Sequence, residues 1–276
     1  MMKVIQEVLL ETVKITSIAT ILMIIIECIE VKYKKRLKSL LLKNRKTQIV
    51  GSALLGVIPG CVDAFLIVSL YMHGMVGFGA LVAVMLSTAG DEAFVMLAMI
   101  PEAALLIFIA CAFLGIVGGF LAEWIAKKVN LKRSKVCVIR LHKETSVHFL
   151  KVHVINHIIK KHVPKLFAWI FFTLLLVEIL VQNFDLNSIL PQNKLLLLLL
   201  AAIIGIIPES GPHLIFLTLY SKGLIPFSVL LVNTLSQDGH GLLPLLSYSL
   251  KDTFNVQIFT TFFAIVVGMI LFIFGF

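Results

Sequence analysis

The stretch GIIPESGPHL (205–214) repeats GVIPGCVDAF (56–65), and the match runs on without a gap. At a constant offset of 149, residues 56–97 align with 205–246, and 12 of the 42 positions are identical. Shared leucines could follow from composition. Shared Gly56/Gly205, Pro59/Pro208, Tyr71/Tyr220, Gly74/Gly223, Ser87/Ser236 and Gly90/Gly239 do not follow so easily in apolar sequence. Carried outward, the same offset places residue 125 on residue 274 and residues 1–14 on 150–163. The chain therefore reads as a duplicated unit: repeat one at 1–125, a basic linker at 126–149, and repeat two at 150–276.

Composition decides the setting of that unit. Hydrophobic residues make up 59% and mean hydropathy is +1.04. Runs such as LLLLLLAAIIGII and FTTFFAIVVGMILFIF suit spanning helices of roughly 20 residues. Glu7 and Glu11 stand where a secretory peptide would carry basic residues, so the first apolar stretch is expected to be a retained helix. The expected fold class is an all-α polytopic membrane protein.

The net charge of +9 is unevenly spread. Of 24 Lys and Arg, eight lie in 31–48 and eleven in 126–165, while 49–125 contains none. Basic segments beside apolar spans are expected to be cytoplasmic, next to anionic lipid, and are not read as nucleic-acid binders. Equivalent to 31–48 is the weakly charged 180–197, which reads as external. Matching loops on opposite sides would make the repeats inverted. About ten membrane elements are expected, five per repeat, with a helix over 12–31 and another over 164–182. Breaks or re-entrant turns are expected at Pro59-Gly60, His73-Gly74, Ala89-Gly90, Pro208 to Gly211, Gly223 and Gly239. Such breaks persist in hydrocarbon only when buried in protein or lining a wet cavity.

The membrane's charges gather at those breaks. Asp63, Asp91 and Glu92 follow the breaks of repeat one. Glu209, Ser210, His213, Gln237, Asp238 and His240 follow those of repeat two. A carboxylate at bilayer depth costs several kcal/mol and needs a partner or a purpose. Paired breaks in inverted repeats point to a midplane binding site. Its ligands would be acids, imidazoles and hydroxyls, and fixed positive charge is nearly missing from the apolar segments. Oxygen donors with an imidazole suit a divalent first-row cation, carried as substrate, with protons as a counter-ion. No permanently bound cofactor is expected.

Two further sets are weighed against plainer readings. His153 and His157 sit four apart in HFLKVHVINHIIKKH, a spacing that suits a regulatory metal; a basic amphipathic helix on the membrane surface explains them as well. Of the four cysteines (Cys28, Cys61, Cys111 and Cys137), only Cys61 stands at a break, where a soft-metal role competes with simple packing. No disulfide framework is implied. The glycines of GIVGG (115–119) read as intramolecular packing, and no oligomeric state is implied.

With PESGPH at 208–213, SQDGHG at 236–241 and two such halves, the whole chain resembles the ten-helix heavy-metal exporters. Members of that family are also described as manganese transporters and, earlier, as arsenic-efflux-like proteins. The resemblance implies an inner-membrane permease of a bacterium or archaeon that exports a divalent metal. It also implies site roles for Glu209, Ser210, His213, Asp238 and His240. Arsenite export would call for thiols, and Cys61 is the only one at a break. The rival reading is a membrane enzyme acting on a lipid pyrophosphate, with Ser210-Gly211 as nucleophile and Asp238-Gly239-His240 as acid–base pair. Against it, no Arg or Lys lies in the motif breaks to hold phosphate.

Overall fold

Long apolar runs without Pro or Gly form helices, and the Pro-Gly clusters interrupt them as expected. The computed structural model describes residues 2–41, 44–60, 62–131, 160, 163–183 and 194–275. His153, His157, Cys61, Cys137 and most of the basic linker lie outside them. Repeat one comprises α1 (Met2–Leu41), α2 (Arg45–Gly56), α3 (Val62–Met72), α4 (Phe78–Ser87), α5 (Glu92–Met99) and α6 (Pro101–Lys128). Repeat two comprises α7 (Val163–Asn183), α8 (Lys194–Gly205), α9 (Ser210–Ser221), α10 (Phe227–Ser236), α11 (Leu242–Tyr248) and α12 (Leu250–Ile273). A 3₁₀ turn, Gly239–Gly241, joins α10 to α11. No strand occurs among the described residues.

The offset of 149 reappears in three dimensions. It superposes the bounds of α4 on α10 and the starts of α2 on α8 and of α6 on α12. Gly74 and Gly223 take φ of 72° and 70°, and Gly90 and Gly239 take 53° and 55°, the left-handed region that glycine enters freely. Tyr71 packs on Phe78 and Tyr220 on Phe227, each with ring centroids 6.4 Å apart.

α2 and α3 form a hairpin that returns to its starting side. Gln48, in the first turn of α2, donates to Met75 O at 3.0 Å and accepts from Gly77 N at 3.2 Å, just past α3. Arg45 and Glu123 border the same Gly77, so the start of α2, the start of α4 and the end of α6 share one end of the bundle. From there α4 and α5 cross as one broken span, Phe78–Met99, and α6 crosses back. The same order recurs in repeat two. Counting each broken span once gives ten elements among the described residues, with α2–α3 and α8–α9 as paired short helices.

Two bounds differ from expectation. α1 does not stop at residue 31 but continues to Leu41, because 32–41 is mostly Lys, Arg and Leu, good helix formers, with no Pro or Gly to break it. The chain restarts at Asn44, whose side chain accepts from Thr47 N at 2.9 Å in a capping box. α6 likewise runs to Lys128, into the segment assigned to the linker.

The core of each half is a three-helix packing of small residues. Gly115 and Gly119 of α6 admit α4 closely: a Cβ on Gly119 would lie 2.8 Å from both Ala83 Cβ and Gly79 O. The GIVGG run is thus consumed inside the protein. α4 is buried along its whole length and carries the first break into the centre.

Candidate functional site: buried carboxylates where the breaks meet

Each break leaves helix ends whose backbone groups need partners. At the first, Thr88 to Asp91 separate α4 from α5, and Gly60 N of the hairpin tip donates to Gly90 O at 3.3 Å. The second break, Gln237 to Gly241, meets the first directly. Positions added at Gly239 would touch Thr88, 3.4 Å away, and at Gly241 would press on Ala64 at 2.8 Å. The tip of the first hairpin and both span breaks therefore share one central locus.

Glu92 begins α5 there with 0% exposure, and Asp238 follows α10 with 2%. Neither oxygen of either carboxylate has a hydrogen-bond partner among the described residues. The Gln237 side chain faces Glu92, but its Nε2 makes no well-formed bond. Thr260 of α12 faces Asp238, yet its hydroxyl is committed to Val256 O at 3.1 Å and Gln257 O at 3.2 Å. When ionised, two buried acids with four orphaned oxygens are costly by several kcal/mol unless something positive, a proton or a cation, joins them. Oxygen donors of this kind fit a divalent cation.

The other candidates divide. Asp91 and Asp63 are buried at the same break and hairpin tip, and both are engaged in further interactions. Ser210 and His240 occupy the ends of α9 and the 3₁₀ turn, and their side chains lie outside the description. His213 is buried among protein acceptors: Nδ1 is 3.2 Å from Asn233 Oδ1 and Nε2 is 3.0 Å from Ile207 O. That environment holds the second hairpin tip together. The described residues contain no group of three or more His, Cys, Asp and Glu disposed around one ion. Among the candidate acids with described side chains, Glu92 and Asp238 are the two whose carboxylate oxygens are all buried without a hydrogen-bond partner.

Glu209 stands apart. Lys165 of α7 meets its carboxylate at 2.7 and 2.9 Å, and the Glu209 side chain is a third exposed. This corrects the reading that the breaks lack fixed positive charge. Lys165 belongs to the basic segment 126–165, yet it reaches Glu209 at the tip of the second hairpin. Lys165→Met and Glu209→Gln are expected to reduce activity alike, and the double variant no further. A double-mutant cycle on cellular metal content checks this, and additive losses would contradict it.

Sequence reasoning also passed over Asp252, fully buried at the start of α12, where Ser249 Oγ accepts from its N–H at 3.2 Å. Its repeat counterpart is Ala103, so matching the halves gave no signal.

Five apolar stretches of crossing length among the described residues, with two interrupted helix pairs meeting at buried acids, define a polytopic helical membrane protein. The family model described as "Putative, 10TM heavy-metal exporter" matches residues 4–165 and 145–275. The chain belongs to that family. No curated protein and no solved structure gives a significant match.

Proposed function

We propose that the protein exports a divalent transition-metal cation, manganese by preference, through the Glu92–Asp238 locus. The observation that carries this reading is the set of four carboxylate oxygens without partners at the junction of both breaks. Hard oxygen donors favour Mn²⁺ over softer ions, with His240 on the adjoining turn as the nitrogen donor.

Transport proceeds by alternating access between two inverted repeats, with both basic segments at the cytoplasmic face of the bacterial or archaeal inner membrane. Protons arriving at the carboxylates displace the cation, because a neutralised site holds a divalent ion poorly. Cells expressing the wild type under manganese, iron, zinc or cobalt load are expected to show a selective fall in one metal by elemental mass spectrometry. Asp238→Asn is expected to abolish that fall at equal membrane abundance. Unchanged export by Asp238→Asn overturns the site.

A second reading gains one observation. Lys165 beside Glu209 supplies the cation that lipid-pyrophosphate hydrolysis would need. That ammonium is already held by Glu209, which favours the transport reading. Phosphate release from a lipid pyrophosphate by purified protein, without metal movement, would reverse the order.

A further inference from the structure

Glu92 opens α5 and His213 lies in the first turn of α9, and both helices run outward from the centre to Met99 and Ser221. Between those ends and helices α1 and α7 lies a cavity of about 290 Å³, bordered by Glu11, Ala98, Glu178, Ser221 and Lys222. Glu178 of α7 and Lys222, just past α9, form an ion pair of 2.8 Å at this cavity. Inward from it, Val95, Met96, Leu214 and Leu217 are all buried and separate it from Glu92.

The cover over this mouth is one-sided. α1 and α7 pack on each other, α1 on α5 and α7 on α9. The internal repeat would place the same cover over α3 and α11. No comparable packing of α1 on α3 or α7 on α11 occurs among the described residues. The α1–α7 pair thus straps one route to the carboxylates.

The cavity has room for about ten waters at ~30 Å³ each, enough for a divalent ion with its hydration shell. Its charges balance, with Glu11 and Glu178 against Lys14 and Lys222. A chamber without net charge does not retain a cation, which suits release better than storage.

We propose that this cavity is the release vestibule for a hydrated divalent cation, and that the Glu178–Lys222 pair latches α7 against α9 to keep its floor shut. The proposal rests on the transport reading of the Glu92–Asp238 locus. It is tested with a membrane-impermeant maleimide and site-resolved peptide mass spectrometry, so that native cysteines are scored separately. Ser221→Cys is expected to react on intact cells. Leu217→Cys, at the floor, is expected to react slowly, and about fivefold faster once Lys222→Met is added, the equivalent of ~1 kcal/mol. Thr218→Cys serves if Leu217→Cys fails to accumulate.

Reaction of Ser221→Cys only in inside-out vesicles, or a floor rate indifferent to Lys222→Met, overturns the vestibule. Labelling requires no export, so the two readings fail separately. A labelled, latch-sensitive vestibule with intact export in Glu92→Gln sinks the carboxylate site. Lost export in Glu92→Gln without vestibule labelling sinks the vestibule.

Discussion

Glu92→Gln is expected to abolish export while making the metal-free protein more stable. Both Glu92 oxygens are buried without hydrogen-bond partners, so the ionised state that cation binding requires is costly in the empty fold. A neutral amide of the same shape removes that penalty, on the order of 2 kcal/mol. It also removes half of the negative charge that would bind the cation. The wild type is expected to gain stability as Mn²⁺ is added, by about 2.7 kcal/mol at a hundred times its Kd. The variant is expected to gain far less. Thermal unfolding of purified protein with and without Mn²⁺, beside cellular metal content, reads all three effects. A less stable variant that still exports would show that Glu92 serves packing. Gain of stability with loss of activity is the signature of a residue kept for its work rather than for the fold.

Gly205→Ala is expected to be strongly destabilising. The end of α8 meets the end of α10 there, and an added Cβ would fall on the Ser236 side chain, 2.7 Å from its Cβ and 3.2 Å from its backbone carbon. Rotating the serine hydroxyl away does not help, because Cβ itself obstructs. That hydroxyl is also committed to Val232 O at 2.8 Å and Asn233 O at 3.1 Å. Overpacking of this kind destabilises by roughly 3 kcal/mol and should empty the membrane of folded protein. Ser236→Gly in the same chain should restore most of it. Gly223→Ala is the control: φ is +70° but no atom lies within 4 Å, so only backbone strain of about 1 kcal/mol applies. Equal abundance of Gly205→Ala and wild type would refute the close approach. The first half has the same contact, Gly56 against Ser87 and Val84 O at 2.8 Å, so Gly56→Ala should behave alike.

What could be read from the sequence follows from the physics of breaks. Pro and clustered Gly in apolar sequence interrupt helices, so the hairpin tips and span breaks are legible at Pro59-Gly60 and Ala89-Gly90 in the first half and in PESGPH and SQDGHG in the second. Acids placed at a break in apolar sequence are conspicuous for the same reason, and Glu92 and Asp238 emerged together with Asp91. What local sequence could not give was pairing across distance. Lys165 and Glu209 are 44 residues apart, and nothing near Glu209 announces a cation. His213 looked like a ligand because it follows Glu209 in one motif; Asn233 and the Ile207 carbonyl, brought in by folding, claim its nitrogens. The end of α1 was misjudged because charge was read as loop, although Lys and Arg favour helix.

The backbones of the halves agree while the working side chains do not. Glu92 stands opposite Gly241 in the alignment, and Asp238 opposite Ala89. A symmetric pair of first halves would bring two copies of Glu92 and no counterpart of Asp238; a pair of second halves would do the reverse. Joining both in one polypeptide permits a division of labour that no self-paired half can reach. Severing the chain in the linker and supplying both pieces should therefore restore a working unit, whereas a doubled dose of either piece alone should not.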